Sequence, residues 1–191
     1  MKLSILVVNW NTRDLVLKCV DSVLRNSPDF PFEVIVVDND SRDGSAEALR
    51  DKFGSDARVK VISAAANLGF AKANNLAFQE SQGQFVLLLN SDTDVRPGAL
   101  RNLVAYLEAH PRVGVVGPKL LNPDRTTQPS VRRFPGPWSS LLVFSGLHRI
   151  IRPKSYLMDG FDYLSEAAVD QVMGACLLTR RSIIDKLGLL D

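Results

Sequence analysis

Leu87-Leu88-Leu89-Asn90-Ser91-Asp92-Thr93-Asp94 is an apolar run that stops abruptly in an amide and two carboxylates. The run reads as a buried strand, and the aspartates place fixed negative charge at its carboxyl edge. In open α/β sheets that edge is where ligands bind. Aspartates clustered there repel one another, so a divalent cation that neutralises them is a natural guest. Mg²⁺ in particular is usually held by one or two carboxylates plus substrate phosphates. The stretch therefore predicts a metal–diphosphate site at a strand end.

The flanking sequence sets that strand in an alternating pattern. Leu3–Asn9, Phe32–Asp38, Val59–Ser63, Phe85–Asn90 and Val113–Gly117 read as strands. Between them, Asp14–Arg25 carries Leu15, Val16, Cys19, Val20, Val23 and Leu24 at helical spacing. Ser45–Phe53 and Phe70–Ser81 read as helices, and Pro97 suits the first turn of a helix running to about His110. Strands alternating with helices imply βαβ units and a mostly parallel sheet flanked by helices. Right-handed crossovers place the strand ends on one edge. The pattern breaks after Gly117, where Pro118 to Pro137 predict irregular structure or short hairpins. From Ala167 it becomes strand-like again, and Ser182–Leu187 begins a helix.

Composition narrows the classes. The 191 residues are 46% hydrophobic and 23% charged with a formal net charge of +2, an ordinary balance that gives no nucleic-acid footprint. Cys19 and Cys176 sit in apolar contexts and read as two reduced core thiols, which favours a cytoplasmic compartment. Met1-Lys2 leads straight into Leu3–Val8, too short an apolar run for a signal peptide. Trp138 to Ile151, WSSLLVFSGLHRII, leaves two readings open: a helix packed on the domain, or an interfacial helix making peripheral contact at the inner face of a membrane.

Four polar clusters follow apolar strands: Asn9-Trp10-Asn11, Asp38-Asn39-Asp40, Ser63 to Asn67, and Asn90 to Asp94. One such cluster is a loop, whereas four converging on one edge make a site. Asp38 suits a hydrogen bond from a base imide or a ribose hydroxyl. Asp43-Gly44-Ser45 reads as a turn and helix start. Neither GxGxxG nor GxxxxGK[ST] is present, which argues against a dinucleotide-binding oxidoreductase and a P-loop NTPase.

These motifs taken in order resemble the large inverting glycosyltransferase family 2, whose members have the GT-A fold, and most closely its rhamnosyltransferase-like branch. The resemblance is carried by VVNWN (Val7–Asn11), VVDNDSRDGS (Val36–Ser45), NLGFAKANN (Asn67–Asn75) and GQFVLLLNSDTDVRPGAL (Gly83–Leu100), and continues in Val113–Asp124 and Val172–Asp191. It implies a donor-binding half over residues 1–117 and the start of an acceptor-side half over 118–191, with the fold incomplete at the C-terminal side. It implies a nucleotide-diphospho-sugar donor, with deoxythymidine-diphospho-rhamnose or a UDP-sugar in view. The acceptor would be a cell-surface polysaccharide or lipid-linked glycan.

Carried over residue by residue, the resemblance makes Asp38 the contact to the nucleotide base and puts Asn9 and Asn11 beside the nucleoside. For Trp10, packing beneath the loop and stacking both stay open. Asn67, Gly69, Lys72 and Asn75 match the loop and helix start that approach the donor, Lys72 being either a phosphate partner or a solvated lysine. The family's DXD metal motif falls in two registers here, Asn90-Ser91-Asp92 and Asp92-Thr93-Asp94. Asp92 belongs to both and Asp94 to one, Asp94 being a metal ligand, a contact to sugar hydroxyls or a cap of the Pro97 helix, and the bound ion would be Mg²⁺ or Mn²⁺. The family's general base lies a few residues beyond the stretch matching Leu187–Asp191, so it is expected beyond Asp191, with Asp170 and Glu166 as the nearby acidic residues. A non-catalytic nucleotide-sugar-binding module and a sugar nucleotidylyltransferase of related fold are the alternatives. The latter should carry a Gly-rich basic loop where Asn9–Thr12 stands.

Overall fold

Leu3–Asn9 forms strand β1, which in this computed structural model is hydrogen-bonded to a parallel strand on each side. Its neighbours are β2 (Phe32–Asp38) and β4 (Phe85–Asn90), with β3 (Val59–Ser63) parallel beyond β2. The structure describes residues 1–134, 136, 137, 145, 156, 158 and 160–191. Helices α1 (Arg13–Arg25), α2 (Ser45–Phe53) and α3 (Gly69–Gln79) make the crossovers, and α4 (Ala99–Ala109) follows β4. Two further strands, β5 (Val115–Val116) and β10 (Cys176–Arg180), complete a six-stranded sheet in the order β3-β2-β1-β4-β10-β5. Helix α5 (Arg181–Leu187) follows β10 directly.

The central strands carry apolar side chains on both faces because both are covered, as parallel sheets require. On one face Leu6, Ile35, Val37 and Val86 pack with Ala73 and Ala77 of α3, joined by Ile184 of α5. Ile5, Val7, Val34, Val36 and Leu87, which point the other way, are also fully buried. The helices α1 and α4 bury Val16, Cys19, Val20 and Val23, and Leu100, Leu103, Val104 and Leu107.

The chain forms two compact units, Met1–Val116 with Gly174–Asp191, and Gly117–Met173. In the second, β6 (Leu120–Leu121) pairs antiparallel with β7 (Thr127–Gln128), and β8 (Val131–Arg132) with β9 (Gln171–Val172). The Tyr163 hydroxyl accepts the Ser130 N–H at 2.8 Å, and Asp170 accepts the Phe134 N–H at 3.1 Å. The Trp138–Ile151 stretch lies outside the described residues apart from Ser145. Among the described residues no helix is long and apolar enough to cross a membrane.

Several details depart from the sequence reading. The half assigned to 118–191 does not stay together, because β10 runs along β4 and carries residues 174–191 into the first unit. That strand is antiparallel, so its carboxyl end faces the edge opposite to that of the others. Pro97 precedes the helix: Gly98 at φ 78° turns the chain, and the helix begins at Ala99. The strand expected over Val113–Gly117 shrinks to Val115–Val116, since Val113 is in a turn and Pro118 cannot extend a ladder. Leu15, placed by spacing on the apolar face, is 44% exposed.

The loop entering β4 is fixed by close approach. Gly83 donates its N–H to the buried Ser4 hydroxyl at 2.7 Å, and Ser4 in turn donates to Glu33 at 2.6 Å. A Cβ at Gly83 would lie 2.6 Å from Ser4 Oγ and 2.7 Å from the Leu3 carbonyl carbon, with the Ser4 backbone nitrogen nearer still. Backbone cannot step aside as a side chain can. Gly83→Ala is therefore expected to destabilise the protein by about 1–3 kcal/mol, read as a lower urea midpoint. An unchanged midpoint would contradict this packing.

Candidate functional site

The strand register brings the polar clusters together. Asn9 pairs with Asp38 and Asp38 with Ser63, while Asn90 lies opposite Val8, so the ends of β1, β2, β3 and β4 form one edge. The chain winds from β1 outward to β2 and β3, then returns past β1 to β4. The strand order thus reverses between β1 and β4, and a crevice outside that point is the usual ligand position in such sheets. The loops Asn9–Thr12 and Asn90–Asp94 stand on its two sides.

Asp38 is only 3% exposed. Its Oδ1 accepts from Asn9 Nδ2 at 2.9 Å and its Oδ2 from the Ser41 N–H at 3.1 Å. An ionised carboxylate has about four acceptor positions, so capacity remains for a further donor. Asn9 is fully buried and gives its other amide hydrogen to Ser41 Oγ at 3.2 Å. Asn11 adopts the left-handed φ of 53°, which lets its N–H reach Ser41 Oγ at 2.9 Å while its Oδ1 accepts the Arg42 N–H at 2.7 Å. The β1 and β2 loops are thereby stitched along their length. Trp10, between them, is 56% exposed.

Asp43 continues the stitching. Burial acts to raise its pKa. Hydrogen bonds from the Ser45 hydroxyl and the Arg13 and Ser45 N–H groups outweigh that and hold it below the ordinary aspartate value. It stays ionised and joins α1 to α2, the structural role read from its turn.

The third loop is tied in by amides. Asn39 Nδ2 donates to Asn67 Oδ1 at 3.0 Å, and Asn39 Oδ1 accepts the Leu68 N–H at 2.8 Å. Asn67 Oδ1 also accepts the Gly69 N–H at 2.9 Å, and Gly69 opens α3 at φ 76° with open space where a Cβ would be. Lys72 is exposed, one turn into the helix. Asn75 makes a contact that the sequence does not suggest: it donates to the Leu190 carbonyl at 2.8 Å and accepts the Leu190 N–H at 3.0 Å. Its amide holds the chain after α5 against α3.

Across the crevice, the Asn90 N–H donates to the Ala175 carbonyl at 3.0 Å, and its own carbonyl accepts the Thr93 N–H at 3.2 Å. This turn presents Asp92 and Asp94, both exposed, and neither hydrogen-bonds or ion-pairs with any described residue. Among the described residues no three His, Cys, Asp or Glu side chains gather as a metal cage. The fit is to a hard cation that takes carboxylate oxygens from the protein and its other ligands from phosphate and water.

Thr12, Ser41 and Ser91 were not singled out from sequence. Thr12 Oγ1 donates to Asn9 Oδ1 at 2.6 Å and lies 3.0 Å from Ser91 Oγ, spanning the crevice from the β1 loop to the β4 loop. Their one sequence signal is a hydroxyl within three residues of a strand end, which ordinary turns share. Of the nearby acids, Asp170 is engaged with the Phe134 N–H, and Glu166 is exposed. A cavity of about 350 Å³ lined by Phe78, Gln79, Arg181, Ile184 and Leu189 lies where β4 begins, away from the polar loops, and Arg181 there is committed to Gly83 and Ser81.

The chain matches the family model described as Glycosyl transferase family 2 over residues 4–188. It is similar to the N-acetylglucosaminyl-diphospho-decaprenol L-rhamnosyltransferase of Mycobacterium tuberculosis H37Rv, at 28% identity over 180 residues, covering 84% of this chain and 56% of that protein. It is also similar to the O-antigen biosynthesis protein RfbC of Myxococcus xanthus, at 31% identity over 193 residues, 14% of that protein. Among solved structures, the mannosyltransferase PcManGT of Pyrobaculum calidifontis, in complex with GDP-Man and Mn²⁺, superposes with a TM-score of 0.68 at 22% identity, covering 98% of this chain and 47% of that one. Staphylococcus aureus TarS 1–349 in complex with UDP-GlcNAc gives a TM-score of 0.57 at 28% identity, covering 68% and 38%. The chain thus spans about half the length of the rhamnosyltransferase and the mannosyltransferase.

Both thiols lie close to this edge, Cys19 with its Sγ 3.5 Å from the Asn90 carbonyl and Cys176 beside Leu89. Burial pushes each thiol up to about 12, and the Asp92 and Asp94 charges add to the effect at Cys19. At pH 8 neither thiol of the native protein should react with Ellman's reagent, and both should react after guanidinium unfolding. A fast-reacting native thiol would show that the floor of the crevice is open.

Proposed function

As this chain belongs to glycosyl transferase family 2, we propose that it binds a nucleoside-diphosphate sugar at the carboxyl edge of its sheet and serves as the donor-binding part of a metal-dependent inverting glycosyltransferase. One observation carries the reading. The parallel register sets the buried Asp38 on one side of the topological switch point, and the β4 turn sets Asp92 and Asp94, which bond to no described residue, on the other.

Each group has a task in that reading. Asp38, held by Asn9 and Ser41, accepts the imide N–H of a uracil or thymine base. Asn9 and Asn11 keep the β1 loop beside the nucleoside, and Asn67 with Gly69 shapes the start of α3, where Lys72 reaches toward phosphate. Asp92, with Asp94, holds Mg²⁺ or Mn²⁺. When bound, that ion supplies Lewis-acid neutralisation of the charge that develops on the leaving diphosphate. A uridine or thymidine diphospho-sugar is the donor class, with deoxythymidine-diphospho-rhamnose favoured by the similarity to the mycobacterial rhamnosyltransferase. The acceptor class is a cell-surface or lipid-linked glycan.

Calorimetry with UDP tests the cation assignment. Asp92→Asn should abolish the part of the affinity that depends on Mn²⁺. Wild-type binding by Asp92→Asn alongside lost binding by Asp94→Asn would move the ligand to Asp94.

Base recognition has its own measurement. UDP and dTDP should bind more tightly than ADP and GDP, because a site built around one hydrogen bond rejects partners that cannot make it. The preference should be lost in Asp38→Ala. Equal affinity for all four diphosphates in the wild-type protein would remove Asp38 from this role.

A further inference from the structure

Thr12 occupies the N-cap position of α1, yet its hydroxyl makes no capping bond. A threonine there ordinarily bonds an N–H of the first helical turn and stabilises the helix. Here Asp43 accepts the Arg13 N–H at 2.9 Å instead, and the Thr12 hydroxyl turns across the crevice. The residue gives up its local interaction for one between loops.

Proton counting fixes the direction of that interaction. A hydroxyl has a single proton, and Thr12 gives its own to Asn9 Oδ1 at 2.6 Å. The 3.0 Å contact with Ser91 is therefore a donation from Ser91 to Thr12. Asn9, with its carbonyl oxygen engaged by Thr12, donates from Nδ2 to Asp38 at 2.9 Å. Donors run one way from Ser91 through Thr12 and Asn9 to Asp38, and the chain ends on a carboxylate that polarises every link. At its other end Ser91 has no proton left to offer. It presents only lone pairs to solvent next to Asp92, which suits a cation or its water.

We propose that Thr12 is a positioning residue that couples the two ends of the site, so that cation binding at the β4 turn strengthens nucleotide binding in part through Asn9 and Asp38. The inference rests on the nucleoside-diphosphate and cation reading given above. Its physical basis is that the β4 turn and the Asp38 carboxylate share one directed hydrogen-bond chain across the topological switch point. A shift of Ser91 on cation binding would be passed through Thr12 and Asn9 to the partner geometry of Asp38. Coupling of this kind is reciprocal: the nucleotide tightens the ion as much as the ion tightens the nucleotide.

The experiment is UDP titration calorimetry in EDTA and in saturating Mn²⁺, for the wild type, Thr12→Val, Thr12→Ser and Ser91→Ala. The ratio of the two dissociation constants measures the coupling. Thr12→Val, which removes the bonds to both Asn9 and Ser91, should lower the ratio about fivefold to tenfold, within the range of one to two neutral hydrogen bonds. Thr12→Ser should keep the wild-type ratio. Ser91→Ala, which cuts only the bond between the loops, should lower the ratio in the same direction and carries the test if the valine variant does not fold. A wild-type ratio in Thr12→Val and Ser91→Ala overturns the proposal, as does an equal loss of affinity with and without Mn²⁺, which a purely structural role would produce. A wild-type protein whose UDP affinity ignores Mn²⁺ overturns the functional reading itself, and is recognised before any variant is compared.

Discussion

Burial of β1, β2 and β4 on both faces is the constraint from which the rest of the structure follows. Ile5, Leu6, Val7, Ile35, Val36, Val86 and Leu87 leave no room for a polar group along the middle of the sheet. A polar side chain can be placed only where a strand ends, and the parallel pairing puts those ends side by side. Asn9 and Asp38 are the first positions past the apolar stretch. They remain nearly as buried as the core, and each is satisfied by the other. That mutual bond is the condition for burying them, since an unpaired buried amide or carboxylate costs several kcal/mol on typical scales.

The same constraint explains the bonding between the loops. The buried Asn9 and Asn39 find partners in neighbouring loops, Ser41 and Asn67, and the less buried Asn11 and Thr12 extend the network to Arg42 and Ser91. The two left-handed non-glycine residues of this region, Asn11 and Asp40, fall inside the network, where the surrounding bonds hold conformations that are otherwise uncommon. The β4 turn differs. It is anchored at its base through Ala175, and its two carboxylates bond to no described residue. In the proposed reading, a preorganised nucleoside end and a cation end left open for a ligand to complete suit a site that gathers its metal together with its phosphate.

Much of this was legible in the sequence, and the misses have physical causes. Runs such as Phe32–Asp38 and Phe85–Asn90 stop at the residues read from the sequence because burial forbids their continuing past a polar side chain. The direction of β10 was not legible, because an apolar run has no polarity; its antiparallel course comes from its partner β4. Gly98 ends the turn before α4 and leaves Pro97 outside, a choice made by one left-handed φ. Thr12 and Ser91 look in sequence like any hydroxyl residues after a strand, and their role emerges only when two loops 79 residues apart meet. Asn75, placed by resemblance near the donor, is held by a backbone 115 residues away, which no local pattern encodes.

In the proposed reading a cation and a nucleoside diphosphate share the edge between β1 and β4. The most direct measurement is an anomalous difference map from crystals soaked with UDP and Mn²⁺. The expected result is one manganese peak within about 2–2.5 Å of a carboxylate oxygen in the Asp92–Asp94 turn, with the uracil edge against Asp38. A manganese ion elsewhere on the chain, or a diphosphate bound with its base away from Asp38, would contradict it.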